Sequence, residues 1–243
     1  MGKVFLIGGE KGGTGKSTIA TNLSIMSALM GHDVILLDTD KQESSTRFIS
    51  HRNDRGFKPT LPCVQVRGKY LNSEIENLAH RYEIVVIDSG GRDSIELRAA
   101  MASPSVKCMV SPLQPSEFDL ETLSTMDELV YLSLAYNRNL KAYILFNQCP
   151  THSKITTTKE AKELIDTFDN LSILNTSLGH RVAFQYASSN SQGVVEFEEQ
   201  KLKEMPQYQA NKYAPKASEE MKKLYKEVFG EEFVLNNNQG ERI

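Results

Sequence analysis

The sequence predicts an α/β fold, with a doubly wound, mostly parallel sheet flanked by helices. Three observations support this prediction. Short apolar runs of strand length recur along the chain, amphipathic stretches separate them, and polar residues with binding chemistry follow the runs directly. Ligands bind such sheets at the carboxyl ends of the strands, so we expect a site where the runs end.

Seven apolar runs are the predicted strands. The first, Val4–Ile7, ends at two glycines, and the second, Val34–Leu37, ends at Asp38. The others follow at residues 63–66, 84–87, 106–110, 143–146 and 171–174. Alternation with helices makes neighbouring strands parallel, because a parallel connection needs a crossover segment between them.

The predicted helices occupy the segments between these runs. The first, residues 17–30, has an apolar stripe and is stopped by Gly31. The last, residues 218–229, has an apolar stripe formed by Met221, Leu224, Tyr225 and Val228. The remaining predicted helices span 42–51, 71–80, 94–102, 120–136 and 157–168.

Length and composition are those of one globular domain. The chain has 243 residues, 40% of them hydrophobic and 24% charged, and no good linker divides it. We expect a single domain over residues 1–230 and a flexible tail over 231–243. The net charge of −3 provides no general attraction to nucleic acid, so any DNA contact needs a local basic patch.

The cysteine pattern favours a reduced, cytoplasmic setting. Cys63, Cys108 and Cys149 lie far apart without CxxC spacing, which argues against a disulfide framework, a zinc site and an iron–sulfur cluster. No run approaches the roughly 18 apolar residues of a membrane-spanning helix, so we expect no transmembrane segment. The first residues also lack the pattern of a secretory signal.

A glycine-rich run between the first strand and the first helix predicts a phosphate-binding loop. Glycines allow backbone N–H groups to surround phosphate oxygens, and the helix N-terminus adds a favourable dipole. Lys16 is expected to reach the β- and γ-phosphates, and the Ser17 hydroxyl to bind magnesium. The expected nucleotide-binding residues are Gly12, Gly13, Thr14, Gly15, Lys16, Ser17 and Thr18.

The loop resembles that of the deviant Walker A ATPases typified by ParA and MinD. Glu10 stands where the general pattern has its first glycine, and Lys11 begins the loop. The resemblance implies ATP and Mg²⁺ as ligands. It also implies an ATP-dependent homodimer in which Lys11 reaches the partner's phosphates.

Acidic residues after the second and fourth strands extend the resemblance. It implies that Asp40 orients the attacking water, that Asp38 supports the magnesium shell and that Asp88 holds magnesium through a water. The family usually has a proline after the residue matching Asp40, and this chain has Lys41. After Asp88 it has Ser-Gly-Gly where the family has prolines, and we expect Gly90 and Gly91 to give a more mobile turn that senses the γ-phosphate.

Three later segments also match. Pro112–Pro115, followed by Asp119, resembles a family segment that borders the dimer face. Asn147 is at the position of an asparagine that contacts adenine, and its amide suits that edge. Residues 181–196 resemble the carboxy-terminal pattern of the ParA branch, an arginine followed later by Gly-x-Val-Glu.

Three functions are compatible with these features. The first is a ParA-type partition ATPase that binds non-specific DNA as an ATP dimer, associates with the nucleoid and is stimulated by a ParB-like or other centromere-binding adaptor. The second is a MinD-like ATPase of membrane surfaces, and the third is a nucleotide-gated scaffold with negligible hydrolysis. Residues 201–229 carry seven lysines against four glutamates. The predicted DNA contacts are Arg181, Lys201, Lys203, Lys222 and Lys223.

Overall fold

The computed structural model describes residues 1–91, 94–115, 120–151 and 162–235. The predicted strands are confirmed. They are β1 (Lys3–Ile7), β2 (Val34–Asp38), β3 (Cys63–Gln65), β4 (Ile84–Asp88), β5 (Val106–Leu113), β6 (Lys141–Phe146) and β7 (Leu171–Ile173). They form one sheet in the order β3-β2-β4-β1-β5-β6-β7, and every paired neighbour is parallel.

Helices cover both faces of the sheet. In the described ranges they are α1 (Lys16–Leu29), α2 (Ser44–Asp54), α3 (Leu71–Arg81), α4 (Ile95–Ala102), α5 (Leu120–Leu134), α6 (Val182–Ser189), α7 (Val194–Glu204), α8 (Gln207–Ala210) and α9 (Lys216–Phe229). Of the helix predicted over 157–168, residues 162–165 are helical, whereas 157–161 lie outside the described residues. Helices α6, α7 and α8 were not predicted.

Two apolar layers hold the helices to the sheet. On one face, α3, α4 and α5 bury residues such as Leu78, Met101 and Leu123. On the other face, α1, α2, α6, α7 and α9 bury residues such as Leu23 and Leu224. Central strands are apolar on both sides because both of their faces are covered, which is typical of a doubly wound parallel sheet.

The last helix, α9, belongs to the core. Met221, Leu224 and Tyr225 are fully buried, and the ring of Phe229 lies 4.1 Å from that of Phe5 on the central strand. Gly230 ends the helix in the left-handed conformation, with φ of 76°. The apolar stripe of α9 is therefore already used for packing within the domain.

Strand register brings the predicted site residues to one edge. Asp88 at the end of β4 is the register partner of both Ile7 at the end of β1 and Asp38 at the end of β2. The loop after β1 and the two carboxylates consequently share the carboxyl edge of the sheet, where ligands of this fold class bind.

Candidate functional site

The loop after β1 is a cradle of backbone donors. Gly13 and Gly15 have φ of 78° and 92°, values that glycine adopts at little cost. Helix α1 starts at Lys16 without a side-chain cap. Among the described residues, none accepts a hydrogen bond from the backbone N–H groups of residues 13–18. Unpaired donors at a helix N-terminus attract an anion.

Lys16 supplies a buried cation next to this cradle. Its side chain is 6% exposed, and Nζ donates to the Lys11 carbonyl at 2.6 Å. Burial lowers the pKa of Lys16, whereas the charges of Asp88 and Asp40 act in the opposite direction. A nearby polyanion would add to the charges that keep this ammonium protonated.

Asp88 has the features of a metal-binding carboxylate. It is fully buried, and its Oδ2 accepts a hydrogen bond from Ser45 Oγ at 2.6 Å. Its Oδ1 is buried and lacks a partner among the residues described. Burial raises the pKa of Asp88 to about 7, against the effect of the Ser45 and Ser17 hydroxyls. Mg²⁺ prefers such oxygen ligands, and Ser17 lies beside this carboxylate, so the residues present fit the ion.

Asp38 holds the neighbouring segment. Its Oδ1 accepts from the Asp40 N–H at 3.0 Å, and its Oδ2 accepts from both the N–H and the hydroxyl of Thr46 at 2.9 Å. The carboxylate therefore caps α2 and fixes the segment that carries Asp40. Its predicted support of a magnesium shell stays a prediction.

Asp40 lies against Gly90, the first of the two glycines that follow Ser89. Its Oδ1 accepts from the Gln42 N–H at 2.9 Å. A Cβ added to Gly90 would be 3.1 Å from the Asp40 Cγ, and one added to Gly91 would be 3.0 Å from the Gly12 Cα and N. Neither of these two glycines has a positive φ. The Ser-Gly-Gly departure thus allows close approach between loops, and its predicted sensing of the γ-phosphate stays a prediction.

Asn147, at the end of β6, supports the cradle from the other side. Its Nδ2 donates to the Thr14 carbonyl at 2.7 Å. It also lines a cavity of about 310 Å³ between the loop and α6, together with Gly15, Thr18, Leu178, Gly179 and Phe184. The cavity begins where the phosphate cradle ends, as a nucleobase pocket would. Contact between Asn147 and adenine stays a prediction.

Sequence reasoning missed three groups at this site. Gln148, in the left-handed conformation with φ of 55°, donates to the Gly13 carbonyl at 3.2 Å, and Gln114 donates to Gln148 Oε1 at 2.9 Å. Ser45 bonds Asp88, as described above. A glutamine after a strand has no distinctive pattern, so only the topology reveals these contacts.

Lys11 is partly exposed, and its carbonyl is the partner of Lys16. Pro112 lies in β5 and Pro115 follows it, whereas Asp119 is outside the described residues. The proposed contact of Lys11 with a second subunit stays a prediction.

Comparison with known protein families matches residues 3–137 to the family of ATPase MipZ. The match spans more than half of the 243 residues. The chain belongs to the MipZ family. The predicted relationship to ParA/MinD-type P-loop ATPases is thereby confirmed.

The proteins to which this MipZ-family chain is similar have names that refer to different tasks. It is 28% identical over 184 residues to the maintenance of carboxysome distribution protein A of Halothiobacillus neapolitanus, covering 73% of this chain and 79% of that protein. Two solved structures share its fold. Septum site-determining protein MinD of Pyrococcus horikoshii, in complex with Mg-ADP, has a TM-score of 0.65 at 16% identity, covering 94% and 96% of the two chains. A plasmid partition protein of Borrelia burgdorferi has a TM-score of 0.58 at 18% identity, and the match covers 82% of this chain and 99% of that protein.

The basic residues predicted to contact DNA have three kinds of surroundings in this MipZ-family chain. Arg181 lines the cavity, and its Nη2 pairs with Glu220 Oε1 at 2.6 Å. Lys203 pairs with Glu199 at 3.1 Å. Lys201 and Lys222 lie over aromatic rings, and Lys223 is exposed. A DNA contact by any of them stays a prediction.

In the described part of the chain, no helix is both long and apolar enough to cross a membrane.

Proposed function

We propose that this chain is an ATPase of the ParA type that binds Mg-ATP, dimerises on it and hydrolyses it slowly to position or segregate a DNA cargo. One observation carries the proposal. The N–H groups of the loop and one oxygen of Asp88, for which no described residue is a partner, meet the buried Lys16 at one edge of the sheet. A triphosphate with a magnesium ion would satisfy all three at once.

Each residue has a defined task in this scheme. The loop N–H groups bind the phosphates, and Lys16 contacts the β- and γ-oxygens. Ser17 and Asp88 would hold the magnesium ion, which supplies charge stabilisation when bound. Asp40 orients the attacking water, and Asp38 fixes Asp40 through its N–H. Positioning and charge stabilisation are sufficient for slow phosphoryl transfer.

Dimerisation and DNA binding complete the proposal. Lys11 would cross to the phosphates of a second copy, so ATP would join the two subunits. The dimer would bind DNA through exposed lysines of α7 and α9, reside in the cytoplasm and associate with the nucleoid, and a ParB-like adaptor would stimulate turnover. The carboxysome relative supports a positioning role, with a protein assembly as an alternative cargo.

The packing of α9 bears on the MinD-like alternative. A membrane-surface helix presents its apolar face to lipid. Met221, Leu224 and Tyr225 instead contact the sheet and α1, with Tyr225 Oη 3.1 Å from Ser27 Oγ. This arrangement favours the DNA-binding proposal over a membrane anchor formed by α9.

Titration calorimetry and phosphate release test the nucleotide steps. We expect Mg-ATP binding by the wild type and its loss in Lys16→Ala. Lys11→Ala should retain binding but lose ATP-dependent dimerisation in light scattering, and Asp40→Ala should bind ATP without turnover. Lys107→Ala is a suitable control, because Lys107 lies at the opposite edge and bonds the Pro104 carbonyl. A wild type that does not bind Mg-ATP would refute the proposal.

Cosedimentation with duplex DNA tests the task. Binding should require ATP, weaken steeply between roughly 50 mM and 500 mM salt, and weaken in Lys222→Glu/Lys223→Glu. Turnover without any DNA binding would favour the membrane-surface alternative. Measurable binding of Mg-ATP with negligible ATP hydrolysis would favour the scaffold alternative.

A further inference from the structure

The segment that presents Asp40 is a β-turn over residues 40–43. The Glu43 N–H donates to the Asp40 carbonyl at 3.1 Å, which closes the turn. Glu43 then adopts the left-handed conformation, with φ of 55°, and directly precedes α2. A non-glycine residue persists in this conformation only when its surroundings hold it there.

Arg67, in the segment that follows β3, bonds to both ends of this turn. Its Nη2 donates to the Asp40 carbonyl at 3.2 Å and to Glu43 Oε1 at 2.8 Å. One guanidinium nitrogen therefore joins the first and the last residue of the turn. The hydrogen bond from Arg67 also lowers the pKa of Glu43, which favours the ionised carboxylate.

Asp40 is thus confined from two sides. Arg67 holds its main chain, and Gly90 lies against its carboxylate, since a Cβ there would be 3.1 Å from Asp40 Cγ. The turn has no proline to stiffen it, because residue 41 is lysine. We propose that Arg67 is a positioning residue, which fixes the Asp40 carboxylate for its work in ATP hydrolysis. This inference rests on the proposed function, and nothing in the family resemblance assigns a role to Arg67.

The turn offers a direct means of rescue. Lys41 occupies its second position, where proline is favoured in type I and type II turns, and Lys41 has no positive φ. Among the described residues, none accepts a hydrogen bond from the Lys41 N–H. Proline at 41 would therefore stiffen the turn without removing an observed bond.

The experiment compares Arg67→Met, Lys41→Pro and the double variant with the wild type. In Arg67→Met we expect the kcat of ATP hydrolysis to fall by about 10- to 100-fold, because a small misplacement of a catalytic group has this effect. The Kd for Mg-ATP should change by less than about twofold, since Arg67 bonds the turn and not the phosphate cradle. Adding Lys41→Pro should restore at least about a third of the lost kcat.

A readout independent of activity is hydrogen exchange at the Glu43 amide. It should be faster in Arg67→Met and slower again in the double variant. Arg81→Met is the matched control, because Arg81 lies at the far edge and contacts Tyr82, and it should change neither quantity.

The outcomes separate the two proposals. Absence of turnover in the wild type would refute the proposed hydrolysis, and this inference with it. Normal wild-type turnover with an unchanged kcat in Arg67→Met would overturn the inference alone. A large loss of Mg-ATP affinity in Arg67→Met would also overturn it, because Arg67 would then act on nucleotide binding.

Discussion

The buried ion pair between Arg52 and Glu196 provides a sharp test of how this structure is held together. Two hydrogen bonds of 2.7 Å join the guanidinium of α2 to the carboxylate of α7. The Arg52 side chain is 1% exposed and that of Glu196 is 14% exposed. Glu196 also accepts from the Gly193 N–H at 2.8 Å, which fixes the start of α7.

Glu196→Gln should be strongly destabilising. Glutamine keeps the size of the side chain and can still accept from Gly193, but Arg52 would be buried without a counter-charge. Removal of one partner of a buried pair costs about 3–5 kcal/mol. In a domain of this size that change lowers Tm by about 6–20 °C. Arg52→Met should cost less, about 1–3 kcal/mol, because the remaining carboxylate is nearer to solvent.

Urea unfolding and calorimetry of both single variants and the double variant measure these energies. The double variant should resemble Arg52→Met rather than the sum of the two, because the two side chains act as one unit. Glu199→Gln, on the same helix, breaks an exposed pair with Lys203 and should cost less than about 0.5 kcal/mol. The reasoning would be refuted if Glu196→Gln lowered the free energy of unfolding by less than about 1 kcal/mol and the effects of the two single variants were additive.

Three further predictions follow from individual positions. Gly15→Ala should abolish Mg-ATP binding in calorimetry, because Gly15 has φ of 92° and the added Cβ would overlap Asn147 Nδ2. Normal affinity would contradict this. Lys41→Pro alone should raise the free energy of unfolding by about 0.4–1 kcal/mol in urea, by restricting the unfolded chain, and a loss of stability would show that the turn does not accept proline. Burial raises the pKa of Cys108 to about 12. In the unfolded chain the pKa of a cysteine thiol is about 8.5. The stability that depends on the neutral, buried Cys108 thiol is therefore complete below that pH and is lost as the pH rises toward 12. Cys108→Ala should make the decline of the unfolding free energy between about pH 9 and 11 shallower, by up to about 1.4 kcal/mol per pH unit, and an unchanged slope would contradict the shift.

The sheet was predictable from sequence because its strands are buried on both faces. Residues 84–87 form an uninterrupted apolar run that ends at Asp88, and burial of every residue of β4 accounts for that pattern. The glycine-rich loop after β1 could be located for a different reason. The phosphate binding proposed for it requires glycines and a lysine at fixed spacing.

Helices α6 and α7 could not be predicted because their stability is tertiary. Helix α6 has only eight residues, and among them only Ala187 is fully buried. Helix α7 begins where Asn22 Oδ1 accepts from the Val194 N–H at 2.7 Å, a contact across 172 residues of sequence. The helix propensity of the segment does not reveal a partner so distant in sequence.

The site residues differ in the same way. A role in binding for Lys16 could be inferred from its neighbours in sequence. The hydrogen bond between Arg67 and the Asp40 carbonyl could not, because the two residues are 27 positions apart and meet only where β3 lies beside β2. Asp38 has partners that the sequence did not reveal. Both of its oxygens accept hydrogen bonds from backbone or hydroxyl donors, and its predicted support of a magnesium shell stays a prediction.

The contact between Gly91 and Gly12 joins two loops through main chain alone. A methyl group at 91 would lie 3.0 Å from both the nitrogen and the Cα of Gly12. With glycine at both positions, main chain faces main chain. A ligand that moves Gly12 toward residue 91 would therefore act directly on the main chain that leads to Gly90, which lies against the Asp40 carboxylate.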